Sequence, residues 1–196
     1  PERIHRYRDP HLPERCLMFR RVHIPDSIPG SLYLAAMPGR YEPMETFLQR
    51  MDCLAIHTVV CLTPLDEIRE RSPGYYRLIT TEGYYWEMIH IPVPDFGVPV
   101  EKERYISGIR SVAENLTAGR NILVHCAAGI GRTGTFAMIL LSVLGMTDGA
   151  GAAAVRVAGA RPEGPGQEAF ISWCTHFLKE DRTSSALMDD EGTPNP

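Results

Sequence analysis

The most reactive arrangement in the sequence is a cysteine followed six residues later by an arginine, Cys126 and Arg132. The five residues between them are small or apolar: Ala127, Ala128, Gly129, Ile130 and Gly131. A glycine-rich turn that leads into a helix can point successive backbone N–H groups inward, and the positive end of the helix dipole adds to them. Arg132 can curl back and hold two phosphate oxygens. The sequence therefore predicts a phosphate-binding loop formed by all of these residues.

The same positive potential acts on Cys126. Helix N-termini and nearby cations lower the pKa of a cysteine thiol from about 8.5 to roughly 3.5–7.5. We therefore expect Cys126 to be a thiolate at neutral pH and to act as a nucleophile. We also expect the Thr133 hydroxyl to donate a hydrogen bond to the sulfur, and His125 to order the loop through hydrogen bonds.

The elements around this loop follow from hydrophobic periodicity. Strands are predicted at Leu32–Ala36, Thr58–Leu62, Tyr84–Ile91 and Asn121–His125. Helices are predicted at Pro43–Met51, Lys102–Leu116, Thr133–Leu144 and Gln167–Lys179, with a further helix capped by Thr63 and a short one within Asp148–Gly166. Because strands and helices alternate, we expect one α/β domain with a central, mostly parallel sheet flanked by helices and a site at the carboxyl end of a strand.

Composition divides the chain into three parts. Residues 1–30 are rich in proline, arginine and histidine and are predicted to wrap the surface as an extension, with its arginines as an alternative binding arm for an anionic partner. Residues 31–180 are predicted to form the folded domain. Residues 181–196 are polar without a core-forming pattern and are predicted to be a flexible tail.

Charge, hydropathy and cysteine usage exclude several classes. A net charge of −4 gives no general attraction to nucleic acid. The longest apolar run, Phe136–Met146, is too short to span a bilayer. Five widely spaced cysteines without a Cys-x-x-Cys pair indicate a reducing compartment, so we expect a cytoplasmic protein. The sequence carries no signal for oligomeric state.

Residues 125–134, with the sequence HCAAGIGRTG, resemble the signature loop of cysteine-based protein tyrosine phosphatases, His-Cys-x-x-Gly-x-x-Arg-Ser/Thr-Gly. Leu32–Leu34 and Val59–Thr63 are similar to strands of the dual-specificity branch. The resemblance implies a protein tyrosine phosphatase-like fold and a phosphorylated protein as substrate. It also implies a phosphocysteine intermediate on Cys126, with no metal or cofactor.

This chemistry also needs an acid, because transfer of phosphate to a thiolate expels an alkoxide or phenoxide. Asp95 lies 31 residues before Cys126 in a segment that resembles the family's mobile acid loop, Trp-Pro-Asp-x-Gly-x-Pro, with Val93 in the tryptophan position. The resemblance implies that Asp95 is the general acid and then the base that activates water. Asp95-Phe96-Gly97 also matches a protein-kinase motif, but the chain lacks the nucleotide loop and catalytic loop of a kinase.

A third element precedes the last predicted helix. Gln167 occupies a region where a glutamine of the resembling family helps to place the hydrolytic water. A glutamine that merely opens a helix is an equally good interpretation.

Three other functions compete with protein dephosphorylation. Hydrolysis of inositol phosphates or phosphoinositides would use the same site, although Ala127 and Ile130 stand where lipid phosphatases carry lysines. A non-catalytic phosphoprotein-binding module would usually lack the cysteine, the arginine or the acid, and all three are present. Sulfur transfer and arsenate reduction use a similar loop, but rhodanese-like chains lack the upstream Pro-Asp segment, and the small arsenate reductases have their cysteine near the N-terminus.

Overall fold

The computed structural model describes residues 19–190, apart from the side chains of Glu82 and residues 182–190. Within this range the strands are β1 (Arg20–Val22), β2 (Ser31–Ala35), β3 (Ile56–Cys61), β4 (Glu87–His90) and β5 (Asn121–His125). They form one sheet in the order β1-β2-β5-β3-β4. The strands β2, β5, β3 and β4 are parallel to one another, and β1 pairs antiparallel with β2 at the edge.

Seven α-helices surround the sheet within the described residues. They are α1 (Met44–Cys53), α2 (Leu65–Arg71), α3 (Pro73–Arg77), α4 (Lys102–Thr117), α5 (Gly131–Val143), α6 (Asp148–Val157) and α7 (Pro165–Asp190). The predicted α/β fold with a mostly parallel central sheet is therefore confirmed. None of these helices combines the length and hydrophobicity needed to cross a bilayer.

The sheet separates two apolar layers, as the alternation of side chains along a strand requires. In β5, Ile122 and Val124 belong to the larger core, which also contains the buried faces of α4, α5, α6 and α7. Leu123, between them, faces the opposite layer with Phe47 of α1 and Trp86. Both sides of β5 are buried, which is why its three central residues are all apolar.

The amino-terminal boundary differs from the prediction. Residues 20–22 form the edge strand β1 rather than part of a surface extension. Three residues, two of them arginines, give too short a pattern for a strand to be recognised from sequence. The first 18 residues of the predicted extension lie outside the described part of the chain.

The carboxyl-terminal boundary also differs. The last helix was predicted to end at Lys179 and to be followed by a flexible tail, but α7 continues to Asp190. No glycine or proline interrupts residues 167–191, so nothing in the local sequence stops the helix. Residues 191–196 of the predicted tail lie outside the described part of the chain.

Three smaller differences concern the segment after β3. Thr63 does not cap α2, because its buried Oγ1 has no hydrogen-bond partner among the described groups. Helix α3, which continues into a π-helical turn at Leu78–Glu82, is not predicted from the sequence, and β4 is shorter than predicted. The Pro73-Gly74 pair favours a turn in the sequence, whereas in the structure both residues belong to a helix whose Tyr75 is fully buried.

Carboxyl ends of the parallel strands meet at one edge of the sheet. Backbone hydrogen bonds join the segments that follow them: Leu62 N–H donates to His125, Met37 N–H to Ala127 and Val93 N–H to Leu62. The loops after β2, β3, β4 and β5 are therefore held against one another. This is the edge at which parallel α/β sheets build their sites.

Candidate active site

The loop between β5 and α5 is folded around the sulfur of Cys126. Gly129 has φ +72° and donates its N–H to Cys126 Sγ at 3.2 Å. A Cβ at position 129 would lie 2.3 Å from the Ala35 carbonyl oxygen, so only glycine fits there. Cys126 is 2% exposed, with its sulfur at the base of the loop. Ala127 is buried beside it, Ala128 is exposed, and Ile130 and Gly131 lead into the first turn of α5.

His125 is completely buried beneath this loop. Its Nε2 lies 2.9 Å from the Tyr75 hydroxyl, and its Nδ1 lies 3.4 Å from the Cys126 carbonyl oxygen. Burial lowers the pKa of His125 to about 3, although the hydrogen bond to the Cys126 backbone opposes that effect. The imidazole is therefore neutral at physiological pH and acts as a fixed hydrogen-bonding spacer between Tyr75 and the loop.

Thr133 lies in the first turn of α5 and is fully buried. Its Oγ1 has no hydrogen-bond partner among the described groups, so the predicted bond to the Cys126 sulfur is not formed. The nearby Thr135 hydroxyl, by contrast, is hydrogen-bonded and donates to the Gly131 carbonyl oxygen.

The Arg132 guanidinium is buried and makes four contacts with the protein. Its Nη1 and Nη2 donate to the two carboxylate oxygens of Glu67 at 2.8 and 3.1 Å, and Nη1 also donates to the Val93 carbonyl oxygen at 3.1 Å. Asp95 Oδ1 lies 2.9 Å from Nη2. The two-point hydrogen bonding that was predicted between Arg132 and phosphate is thus made with the Glu67 carboxylate. The Nε of Arg132 takes part in none of these four contacts.

Electrostatics keep this arginine charged. Burial acts to lower the pKa of Arg132, but the hydrogen bond to Glu67 and the charges of Cys126, Glu67 and Asp95 outweigh it, and the pKa is raised. The cation next to the loop is therefore permanent.

Asp95 follows β4 and lies in a tight turn that is closed by a backbone hydrogen bond. Gly97 N–H donates to the Pro94 carbonyl oxygen, and Phe96 adopts φ +54°, a conformation that a non-glycine residue rarely takes. The Asp95 carboxylate is 43% exposed and also pairs with Arg71 at 3.6 Å. The loop thus brings an accessible carboxylate to the rim of the Cys126 loop.

Gln167 braces the same loop from the first turn of α7. Its Nε2 donates to the Gly97 carbonyl oxygen at 3.2 Å, and its Oε1 accepts a hydrogen bond from Glu163 N–H. Oε1 also lies 3.2 Å from the Thr135 hydroxyl, whose one proton is shared between Oε1 and the Gly131 carbonyl oxygen. The side chain is 1% exposed. In this conformation Gln167 connects the Asp95 loop to α5.

Two functional candidates were missed by the sequence analysis, Glu67 and Arg71. Both lie on α2, and Arg71 Nε is 3.4 Å from Glu67 Oε1. The available signal was an acidic residue in the first turn of a helix that follows a buried strand. That position is common for structural reasons alone, and its pairing with Arg132 depends on tertiary structure.

Solved phosphatases share this fold. The crystal structure of kinase associated phosphatase, with its catalytic cysteine changed to serine, matches with a TM-score of 0.59 and 20% identity over 80% of this chain and 88% of that chain. The crystal structure of PTPMT1 in complex with PI(5)P matches with a TM-score of 0.60 and 17% identity over 82% of this chain and 97% of that chain. These likenesses show that the chain shares its fold with these phosphatases.

The family is defined by sequence. The family model described as "Swiss Army Knife protein, DSP-PTPase phosphatase domain" matches residues 29–180, and the chain belongs to this family. Tyrosine-protein phosphatase 3 of Schizosaccharomyces pombe is 37% identical over 98 residues, which are 46% of this chain and 30% of that protein. The chain thus spans less than a third of the length of the curated relatives it matches. The resemblance drawn from residues 125–134 is confirmed.

Proposed function

We propose that the chain hydrolyses phosphotyrosine in proteins, and phosphoserine and phosphothreonine as the dual-specificity branch implies, through a phosphocysteine on Cys126. The observation that carries this proposal is the Gly129 N–H directed at the Cys126 sulfur beside a charged Arg132. Backbone amides and a fixed cation around one sulfur stabilise both a thiolate and a bound phosphate.

In the first step, Cys126 Sγ forms a bond to phosphorus while the bond from phosphorus to the substrate oxygen breaks. A phosphate oxygen competes with Asp95 for Arg132 Nη2, and Nε supplies a second donor on the same edge of the guanidinium. Asp95, once displaced from Arg132 and in its protonated form, donates its proton to the departing oxygen and becomes a carboxylate. The Glu67 pairing keeps Arg132 in position throughout this exchange.

In the second step, water attacks phosphorus and the bond to sulfur breaks, which returns the thiolate and releases inorganic phosphate. Asp95, now a carboxylate, takes the proton of the attacking water. Gln167 lies next to this loop and, if it leaves Gly97, can hold the water, as the resemblance implies.

The nucleophile is tested with p-nitrophenyl phosphate and a Cys126→Ser variant. We expect Cys126→Ser to lose turnover while it still binds tungstate, because serine is a poor nucleophile but leaves the loop intact. Cys174→Ser is the matched control, since Cys174 is a free, fully buried thiol of the helical core. Appreciable turnover by Cys126→Ser would remove Cys126 from this role.

The acid is tested by the leaving group. Asp95→Asn should slow hydrolysis of a phosphotyrosine peptide by about 10²–10⁴-fold but affect p-nitrophenyl phosphate much less, because p-nitrophenolate leaves without a proton. Equal losses on both substrates would contradict the assignment. A panel of phosphopeptides and inositol phosphates, with Cys126→Ser as the blank, distinguishes protein from inositol phosphate hydrolysis.

A further inference from the structure

Arg20 is a second cation next to the Cys126 loop, and it comes from the edge strand β1 rather than from the loop. Its backbone pairs with Leu34 of β2, and its side chain is half-buried. Nη2 donates to the Gly129 carbonyl oxygen, and Nη1 donates to the Gly159 carbonyl oxygen at 2.9 Å. One guanidinium therefore ties two loops together.

Both accepting carbonyls belong to special backbone positions. Gly129 and Gly159 each have φ +72°, and Gly159 lies just beyond the carboxyl end of α6, where a cation is favourable. A Cβ at position 129 would lie 2.6 Å from Arg20 Nη2, so the guanidinium packs directly against the loop backbone. In this conformation Arg20 therefore lies against the Gly129 backbone with no room for a side chain between them.

The Gly129 carbonyl controls the next amide of the loop. A trans peptide is planar, so the carbonyl of Gly129 and the N–H of Ile130 point in opposite directions. While Arg20 holds the carbonyl, the Ile130 N–H is directed away from Arg20. The Gly129 N–H, on the other side of the same residue, is held on the Cys126 sulfur.

A phosphate-binding loop without its anion is electrostatically strained, because like-oriented N–H dipoles repel one another. Rotation of one peptide would relieve that repulsion and turn a carbonyl oxygen toward the anion site. The burial of Arg20 lowers its pKa, and the charge of a Cys126 thiolate acts in the opposite direction.

We propose that Arg20 is a positioning residue that holds the Gly129 peptide in the orientation that binds phosphate before substrate arrives. The inference rests on the proposed function of the same loop and extends it to β1. Without Arg20, only a fraction of molecules carries a competent loop, and apparent phosphate affinity falls by that fraction. Once phosphate is bound, its oxygens hold the amides themselves, so the chemical step is affected less.

The test compares Arg20→Met with Arg20→Lys and with Arg21→Met. Methionine removes the charge and the donors at similar length, and lysine keeps the charge but has one nitrogen in place of the two that hold the two carbonyls. Arg21 is the neighbouring arginine of β1, is exposed and lies 3.4 Å from Ser31 Oγ, so its replacement controls for changes in the strand.

Tungstate affinity is measured by calorimetry in the Cys126→Ser background, and kcat and KM for p-nitrophenyl phosphate are measured with Cys126 present. We expect Arg20→Met to weaken tungstate binding and raise KM by roughly 10- to 100-fold, with a smaller change in kcat. Arg20→Lys should recover part of the affinity, and Arg21→Met should match the parent protein. The folded fraction of each variant is checked by its thermal unfolding midpoint.

Wild-type affinity and KM in a folded Arg20→Met protein would overturn the inference while leaving the proposed function intact. A loss of kcat without a change in affinity, or no recovery by lysine, would also overturn it. If the parent protein neither bound tungstate nor turned over p-nitrophenyl phosphate, the proposed function itself would fail, and the inference with it.

Discussion

The Arg132 side chain is oriented by the protein before any phosphate arrives. Glu67 holds both terminal nitrogens, and the Val93 carbonyl fixes the plane of the guanidinium. A buried arginine with this many partners loses little further freedom on binding substrate, which is a direct contribution to preorganisation.

Glu67→Gln tests this orientation. Glutamine keeps the shape but loses the charge and one of the two acceptors, so we expect kcat/KM for p-nitrophenyl phosphate to fall by roughly 10- to 100-fold. Glu70→Gln, an exposed glutamate on the same helix, is the matched control and should leave kcat/KM unchanged. Equal kcat/KM in the two variants would show that Arg132 does not depend on Glu67.

His125 makes stability depend on pH. Its pKa is about 3 in the folded protein and about 6.5 when unfolded, so the unfolded state binds the extra proton between these values. This group's contribution is fully present above pH 6.5 and is lost as pH falls towards 3, by up to about 1.4 kcal/mol per pH unit.

A His125→Gln protein should therefore lose less stability than the wild type between about pH 6.5 and pH 4, measured as the urea dependence of unfolding. His176→Gln is the control, because His176 is 75% exposed. If the free energy of unfolding of the wild type and of His125→Gln falls equally across this pH range, then burial does not lower the pKa of His125 and the explanation is wrong.

At the level of elements, the packing of α5 against the segment before α7 fixes the rim of the site. A Cβ at Gly134 would lie 2.6 Å from the Arg161 backbone nitrogen, and Arg161 N–H donates to the Ile130 carbonyl oxygen. This close approach holds the 161–164 loop, and through it Glu163 and Gln167, next to the Cys126 loop.

Two glycine-to-alanine changes distinguish the effect of the contact between Gly134 and the Arg161 backbone from the general effect of alanine on helix stability. Gly134→Ala should destabilise the protein by about 1–3 kcal/mol, because backbone must move to admit the methyl group. Gly149→Ala, on α6 with no atom within 4 Å of its Cβ position, should be neutral or stabilising by up to about 1 kcal/mol. Urea unfolding measures both, and an equal effect of the two changes would contradict the close approach.

Elements with long apolar patterns were predictable from sequence, and those fixed by tertiary contacts were not. The strand Asn121–His125 and the start of α4 at Lys102 agree with the structure because each carries a clear periodicity with turn signals around it. The edge strand β1 is three residues long, and its pairing with β2 is visible only once β2 is in place. Helix α7 is longer than predicted because no glycine or proline stops it. The polar composition of the segment after Lys179 led to the prediction of a tail instead.

The site divides in the same way. Cys126 and Arg132 are neighbours along one loop, so their spacing alone predicted a joint role. Glu67 reaches Arg132 from 65 residues away, and no local pattern specifies that pair. Thr133 could be expected near the sulfur from its position, but hydroxyl orientation depends on packing that sequence does not encode.

On the scale of the whole molecule, the sheet brings four loops to one edge, so binding an anion there should stabilise the entire fold. Tungstate at 100 times its dissociation constant should add about 2.7 kcal/mol to the free energy of unfolding. Arg132→Met should abolish that gain. Arg120→Met is the control, because Arg120 pairs with Glu87 near the amino ends of the strands. Equal tungstate stabilisation of Arg132→Met and Arg120→Met would place the anion elsewhere.

The most direct test of the central claim is to trap the covalent intermediate. The protein is mixed with a phosphotyrosine peptide, quenched in acid within the first turnover and digested, and the fragment that contains residues 121–132 is analysed by mass spectrometry. We predict a phosphoryl group on Cys126, absent from Cys126→Ser and longer-lived in Asp95→Asn, which lacks the base for hydrolysis. Steady turnover with no phosphoryl group on Cys126, or with the group on another residue, would contradict the account.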